Sequence, residues 1–224
     1  MANIGIISEG ITDQVVIEFI LVGLLQDDDL SIDPLQPTRD ATDEDLATSA
    51  GNWDKVFEYC ESSRFEYAVL NTDFVIVQVD ADIFKTKEIS EKYKLHFASN
   101  ISVEDCVLQI QNMLIGLIGI DFYASYSSKI IFAISVDSIE CWLLPIYFQN
   151  QPKQASKTVN CLNTLNQVLS KQEGYTIDKK KPKYFRKASE PYRKLKYKDL
   201  VKLYPMNPSL KIFVDSVKKM PQFK

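Results

Sequence analysis

Three short apolar runs stand out along the 224-residue chain: 3–8 (N-I-G-I-I-S), 73–79 (D-F-V-I-V-Q-V) and 129–136 (K-I-I-F-A-I-S-V). They are too short for buried helices and rich in β-branched side chains, which predicts three buried strands. Elsewhere the apolar positions recur every three or four residues, the helical period. That spacing predicts helices over 13–25 (Val16, Phe19, Ile20, Leu24), 53–63 and 103–117 (Val107, Ile110, Leu114, Leu117). Further helices are predicted over 139–148, 155–172 (Val159, Leu162, Leu165, Leu169) and 208–220 (Leu210, Phe213, Val214, Val217). Thr12 reads as the N-cap of the first helix, Asn100 or Ser102 as that of the third, and Asp137-Ser138 as that of the fourth. Residues 26–52 are acidic, with Arg39 as their one base and with Pro34 and Pro37, and predict a long loop with one helical turn. The stretch 84–98 is polar and mixed. Strands separated by helices predict an α/β protein with a mostly parallel, Rossmann-like sheet flanked by helices.

Composition adds three constraints. The share of hydrophobic residues is 46% and of charged residues 25%, which is that of a globular protein. His96 is the single histidine, so metal sites built on several histidines are excluded. It lies in K-L-H-F-A and reads as a core or surface residue. The four cysteines, Cys60, Cys106, Cys141 and Cys161, form no C-x-x-C pair. Neither a zinc knuckle nor a disulfide framework is expected, and Cys106 and Cys141 read as small buried hydrophobes. Trp53 and Trp142 fall on helical patterns and read as core. The N-terminus has no basic segment of a signal peptide, and the longest apolar stretches, 15–25 and 113–120, are too short to span a membrane. A soluble, cytoplasmic protein is expected.

The net charge of -4 conceals two opposed segments. Residues 1–151 carry 8 Lys/Arg and 25 Asp/Glu, a net -17, whereas residues 152–224 carry 18 and 5, a net +13. The composition shift after Pro152 divides the chain into an α/β domain, 1–151, with its acidic insertion 26–52, and a basic, mainly helical extension, 152–224, packed on it. The polarity fits an acidic region that gathers cations and a basic one that gathers phosphates. It also fits a basic tail that only solubilises and packs against the acidic body.

The acids fall in a pattern. Each predicted strand delivers carboxylates at or just past its C-terminal end: Glu9 with Asp13, Asp80 with Asp82, and Asp137 with Glu140. Ligand sites of open parallel sheets form at that edge. Carboxylates gathered there repel one another unless a cation neutralises them. Oxygen ligands without histidine or thiolate favour Mg²⁺ or Mn²⁺. Asp13 and Glu140 also suit the first turn of a helix, where the helix dipole favours acids. No Walker A pattern is present, so the chain is not expected to hydrolyse ATP itself, and Gly51-Asn52 reads as a turn and cap.

The motif I-I-S-E-G-I-T-D-Q-V resembles the first motif of Toprim domains, and V-I-V-Q-V-D-A-D resembles their D-x-D motif. S-V-D-S-I-E-C-W-L-L-P, P-Y-R-K and N-P-S-L-K-I-F-V resemble segments of small stand-alone Toprim-like proteins of bacterial genomes, whose genes often sit beside an ATPase in phage-defence loci. The resemblance covers 3–148 and, more weakly, 182–220. It implies a Toprim-like fold and Mg²⁺-dependent phosphodiester hydrolysis of nucleic acid, DNA before RNA, by the effector of a phage-defence system with an ATPase partner. Glu9 would be the general acid/base or a metal ligand, Asp80 and Asp82 would hold the metal, and Glu140 would complete the cluster. Gly10 would allow close approach of a phosphate. Lys194 matches the family's Tyr-x-Lys position and would stabilise transition-state charge, with Lys183 as its rival. The chain departs from the pattern at Phe84, where some Toprim proteins carry a third acid, and leaves Glu140 or Asp137 to take that place. Two other functions remain open: a non-catalytic docking or regulatory subunit of an ATPase complex, and nucleotidyl transfer of the primase type.

Overall fold

The structure is a computed structural model that describes residues 2–39, 52–98, 100–178 and 181–220. Strand β1 (Asn3–Ile7) leads into helix α1 (Ile11–Leu25) and strand β2 (Ser31–Gln36). Helices α2 (Trp53–Cys60) and α3 (Ser63–Asn71) precede β3 (Phe74–Asp80). A 3-10 turn over Ala81–Lys85 follows, then α4 (Lys87–Lys92), α5 (Val103–Ile118), α6 (Ile120–Tyr126) and β4 (Ile130–Ser135). Another 3-10 turn, Ile139–Leu143, runs into α7 (Leu144–Tyr147). The rest is helical: α8 (Pro152–Ala155), α9 (Cys161–Gln172), α10 (Pro182–Lys194), α11 (Tyr197–Leu203) and α12 (Pro208–Val217).

The four strands form one sheet in the order β2-β1-β3-β4, and every pair is parallel. The protein is therefore α/β with a Rossmann-like parallel sheet flanked by helices. Parallel sheets bury both faces, and the side chains of β3 and β4 alternate accordingly. Ile4, Ile6, Ile76, Ile131 and Ala133 join a core with α1, α9, α10 and α12. Val75, Val77, Val79, Phe132 and Ile134 join a second core with α2, α3 and α5. Much of the first layer comes from the basic segment, because Leu165, Phe185, Tyr192, Leu210 and Phe213 are all buried there beside α1.

Helix α1 is buried around most of its circumference, between the sheet and α10. Gly23 makes the closest approach: a Cβ there would lie 2.2 Å from the Tyr192 carbonyl oxygen. Three residues further along both helices, the Gln26 amide donates to the Leu195 carbonyl (3.1 Å). The two helices thus run in the same direction with their C-terminal ends together.

Several expectations are corrected. The predicted 26–52 loop contains β2, in which Pro34 pairs with Ile6. An edge strand bonds on one side only and so tolerates a residue without an N–H. The predicted 53–63 helix ends at Cys60, and α3 follows it. Gly10, not Thr12, caps α1, whereas Ser102 caps α5 as expected, accepting from the Asp105 amide. The predicted 139–148 helix begins as a 3-10 turn. The predicted 155–172 helix begins only at Cys161, after Asn160 with its left-handed φ of 53°, and Val159 is 56% exposed instead of facing the core. Cys141 and Cys161 are joined in a disulfide, which corrects both the free-thiol reading of Cys141 and the absence of a bridge. Trp142 is core as expected; it stacks on Phe213 and its Nε1 donates to Ser209 Oγ (2.9 Å). His96 is exposed. No single helix among the described residues is long and apolar enough to cross a membrane.

Two outcomes follow for stability. Gly23→Ala should destabilise the fold by about 1–3 kcal/mol, read from urea unfolding, because the Tyr192 backbone has to move. Reducing the disulfide should lower the urea midpoint by the equivalent of about 3 kcal/mol, since it closes a loop with a sequence separation of 20. Thiol titration of the unfolded, unreduced chain should find only Cys60 and Cys106 reactive.

Candidate functional site

From β1 the chain moves to β2 on one side, and β3 then pairs on the other side of β1. Connections that leave neighbouring strands in opposite directions open a crevice beyond their C-terminal ends. Glu9 follows β1 on one side of that crevice and Asp80 ends β3 on the other. Beyond β3 come Asp82, in its 3-10 turn, and beyond β4 come Asp137 and Glu140. Asp13 enters from the first turn of α1.

The crevice is braced by hydrogen bonds between its walls. Glu9 Oε1 accepts from the Asp80 amide (2.6 Å), and the Glu9 amide donates to Gln78 Oε1 (3.1 Å). Gln78 is fully buried, and its Nε2 donates to Asp80 Oδ1 (2.9 Å). Ser135 Oγ, from β4, donates to the same Asp80 oxygen. The Asp82 amide donates to the Asp137 carbonyl (3.1 Å), which the left-handed φ of 74° at Asp137 turns toward it. Three strands are in this way tied together at the point where their acids meet.

Electrostatics set the character of the site. Asp13 is 6% exposed and Glu140 only 3%. Burial of the Asp80 carboxyl, followed by the charges of Asp13 and Glu140 and more weakly of Asp82, pushes its pKa well above the ordinary 3.8. The hydrogen bond from Ser135 opposes this and does not outweigh it. A carboxylate held in this field takes up a proton or is compensated by a cation. The donors are all oxygen, which suits a hard divalent ion such as Mg²⁺ or Mn²⁺.

The sequence-predicted residues divide into two groups. Glu9, Asp13, Asp80, Asp82 and Glu140 come together at the crevice. Asp137 lies at its rim, where its carboxylate pairs with Lys85 Nζ (2.8 Å). Gly10 has an extended φ of -154°, so its backbone is not strained; a Cβ there would stand 3.0 Å from Asp13 Oδ2. Lys194 is not at the crevice. It is in the last turn of α10, beside the far end of α1, and pairs with Glu190 (3.3 Å). Leu25 is 12 positions along α1 from Asp13, a rise of about 18 Å. Lys183, in the first turn of α10, stands over the Tyr184 ring. Among the described residues, the ligand atoms that lie within 4.8 Å of one another as a group are those of Asp137, Cys141 and Cys161, and there the disulfide leaves no thiolate to bind a metal.

Sequence reasoning missed Gln78, Ser135 and Lys85. Gln78 had a signal: it is a lone amide inside the apolar run V-I-V-Q-V, and a buried polar group needs partners. Ser135 and Lys85 had none, because their roles depend on strand pairing and on the 3-10 turn.

The upward shift at Asp80 fixes the sign of a pH dependence. The folded state binds this proton more tightly than the unfolded state, so its stabilisation is full below the ordinary carboxyl pKa and is lost as pH rises through the folded pKa. With cations removed by EDTA, the urea midpoint should fall as pH rises above about 4. Asp80→Asn should flatten that slope, and Mg²⁺ should raise the wild-type midpoint at neutral pH more than that of the variant. Comparisons with protein-family models, with curated proteins and with solved structures find no match to this chain.

Proposed function

We propose that this chain is a divalent-cation-dependent phosphodiesterase acting on nucleic acid. The observation that carries the reading is the state of Asp80, an acid surrounded by acids at the switch point of a parallel sheet. Carboxylates gathered in this way attract a divalent cation. Glu9, Asp13, Asp80, Asp82 and Glu140 would hold Mg²⁺ or Mn²⁺, which when bound supplies Lewis-acid stabilisation of phosphate charge.

The chain's own groups do the rest. Gln78 and Ser135 fix the Asp80 carboxylate, and the Asp80 amide fixes Glu9, so the acids are oriented before substrate arrives. In hydrolysis a water oxygen bonds to phosphorus, the ester P–O bond breaks, the proton of the water passes to a carboxylate of the cluster, and the departing ester oxygen takes up a proton from solvent and leaves as the alcohol. Lysines of the basic segment attract the polyanion. The motif resemblance to small Toprim-like proteins supports a wider role, as the cytoplasmic effector of a phage-defence system working with an ATPase partner.

One observation favours a second reading, a non-catalytic docking subunit of such an ATPase. Lys194, the cation that the resemblance assigns to transition-state stabilisation, is placed away from the crevice at the end of α10, where it pairs with Glu190. Cleavage of plasmid DNA and of tRNA with Mg²⁺ or Mn²⁺, alone and with the partner, separates the two. Glu9→Gln and Asp82→Asn should each lower cleavage by about a hundredfold or more, while Lys194→Ala should stay within about twofold of wild type. Absence of cleavage under all conditions, with a stable partner complex that survives Glu9→Gln, would establish the docking reading instead.

A further inference from the structure

A cleft of about 810 Å³ opens beside the acidic crevice. Its walls are the 3-10 turn Ala81–Lys85, the segment around His96, the start of α5 and the turn that precedes α9. The volume lies in the range of small-molecule pockets. Cleft and crevice share a wall: Ala81 lies between Asp80 and Asp82, Val136 precedes Asp137, and Lys85, the partner of Asp137, stands on the boundary.

The lining has two kinds of surface. Phe84 and Phe97, with ring centroids 6.3 Å apart, and Ile101 give an apolar floor, and Ser90 and Thr158 bring hydroxyls. Val159 stands at the lip, 56% exposed, and brings an aliphatic side chain to the mouth of the cleft. The wall around His96 is anchored: Gln109 accepts from the His96 amide (2.9 Å) and donates to the His96 carbonyl (3.1 Å).

We propose that this cleft receives an unpaired nucleobase while the adjoining phosphate lies at the carboxylate crevice, so that the substrate class is single-stranded nucleic acid. The proposal rests on the phosphodiesterase reading above. A base offers flat apolar faces and a hydrogen-bonding edge, which match the aromatic floor and the hydroxyls. A base stacked within a duplex cannot enter, so a duplex would be held through its backbone alone. The shared wall gives the cleft its occupant: a group bound there is covalently close to whatever the acidic crevice holds.

The test uses the full chain, with Ca²⁺ replacing Mg²⁺ to slow cleavage. Fluorescence anisotropy is read for labelled oligo-dT, oligo-U and a duplex of the same length. Single strands should bind about tenfold more tightly than the duplex. Val159→Glu and Phe97→Ala should each weaken single-strand binding by about fivefold or more and leave duplex binding unchanged. Should Phe97→Ala fail to fold, Val159→Glu decides, because its side chain is outside the core. The oligo-dT and oligo-U arms show which sugar is preferred. A duplex bound as well as single strands, no single-strand binding, or a Val159→Glu chain that binds like wild type would overturn the proposal. Asp80→Asn separates the two readings. Cleavage that needs Asp80 but prefers duplex sinks the cleft alone; strand preference without any Asp80-dependent cleavage sinks the phosphodiesterase reading alone.

Discussion

A parallel sheet with apolar side chains on both faces cannot leave either face in water, and the arrangement of this protein follows from that requirement. One face is covered by α2, α3 and α5, which are drawn from between the strands. The other needs α1 and then more, and the basic final third supplies it through α9, α10 and α12. This explains how a segment of net +13 can be structural. Its described lysines and arginines are exposed or half-buried, on helices whose inward faces carry Phe185, Tyr192, Leu210 and Phe213. The charge polarity along the chain becomes a polarity between an acidic crevice and a basic coat.

The crevice has a different logic. Its acids are gathered by topology, since strands that diverge at β1 and β3 leave their C-terminal ends exposed to one another. Neutral donors orient two of them: the Gln78 amide and the Ser135 hydroxyl bond to Asp80, and the Asp80 backbone amide bonds to Glu9. Neutral donors orient a carboxylate without cancelling its charge. Lys85 pairs with Asp137 at the rim of this edge.

The strands β1, β3 and β4 were legible because buried parallel strands are continuous apolar runs, and the acids that end them were legible with them. β2 was not, because its Ser31, Asp33 and Pro34 break any apolar run that could betray it. The junction before α9 was hidden for another reason: Val159, Leu162, Leu165 and Leu169 keep a helical rhythm through a break that Asn160 makes in the backbone. Lys194 shows the limit of motif spacing. Its place in P-Y-R-K matched a pattern, but its position in space is set by the parallel packing of α10 on α1, which places it beside Gln26 and not beside Asp13.

The Cys141–Cys161 bridge joins residues on opposite sides of Pro152, one from the acidic segment and one from the basic segment. The two oppositely charged parts are therefore a single covalent body by two routes, the main chain and the sulfur link. A cut in the exposed turn around Gln151 would leave both parts attached and the core shared. The chain could then be nicked there in an oxidising medium and still migrate as one species, to fall into an acidic and a basic fragment only when the bridge is opened and the fold undone.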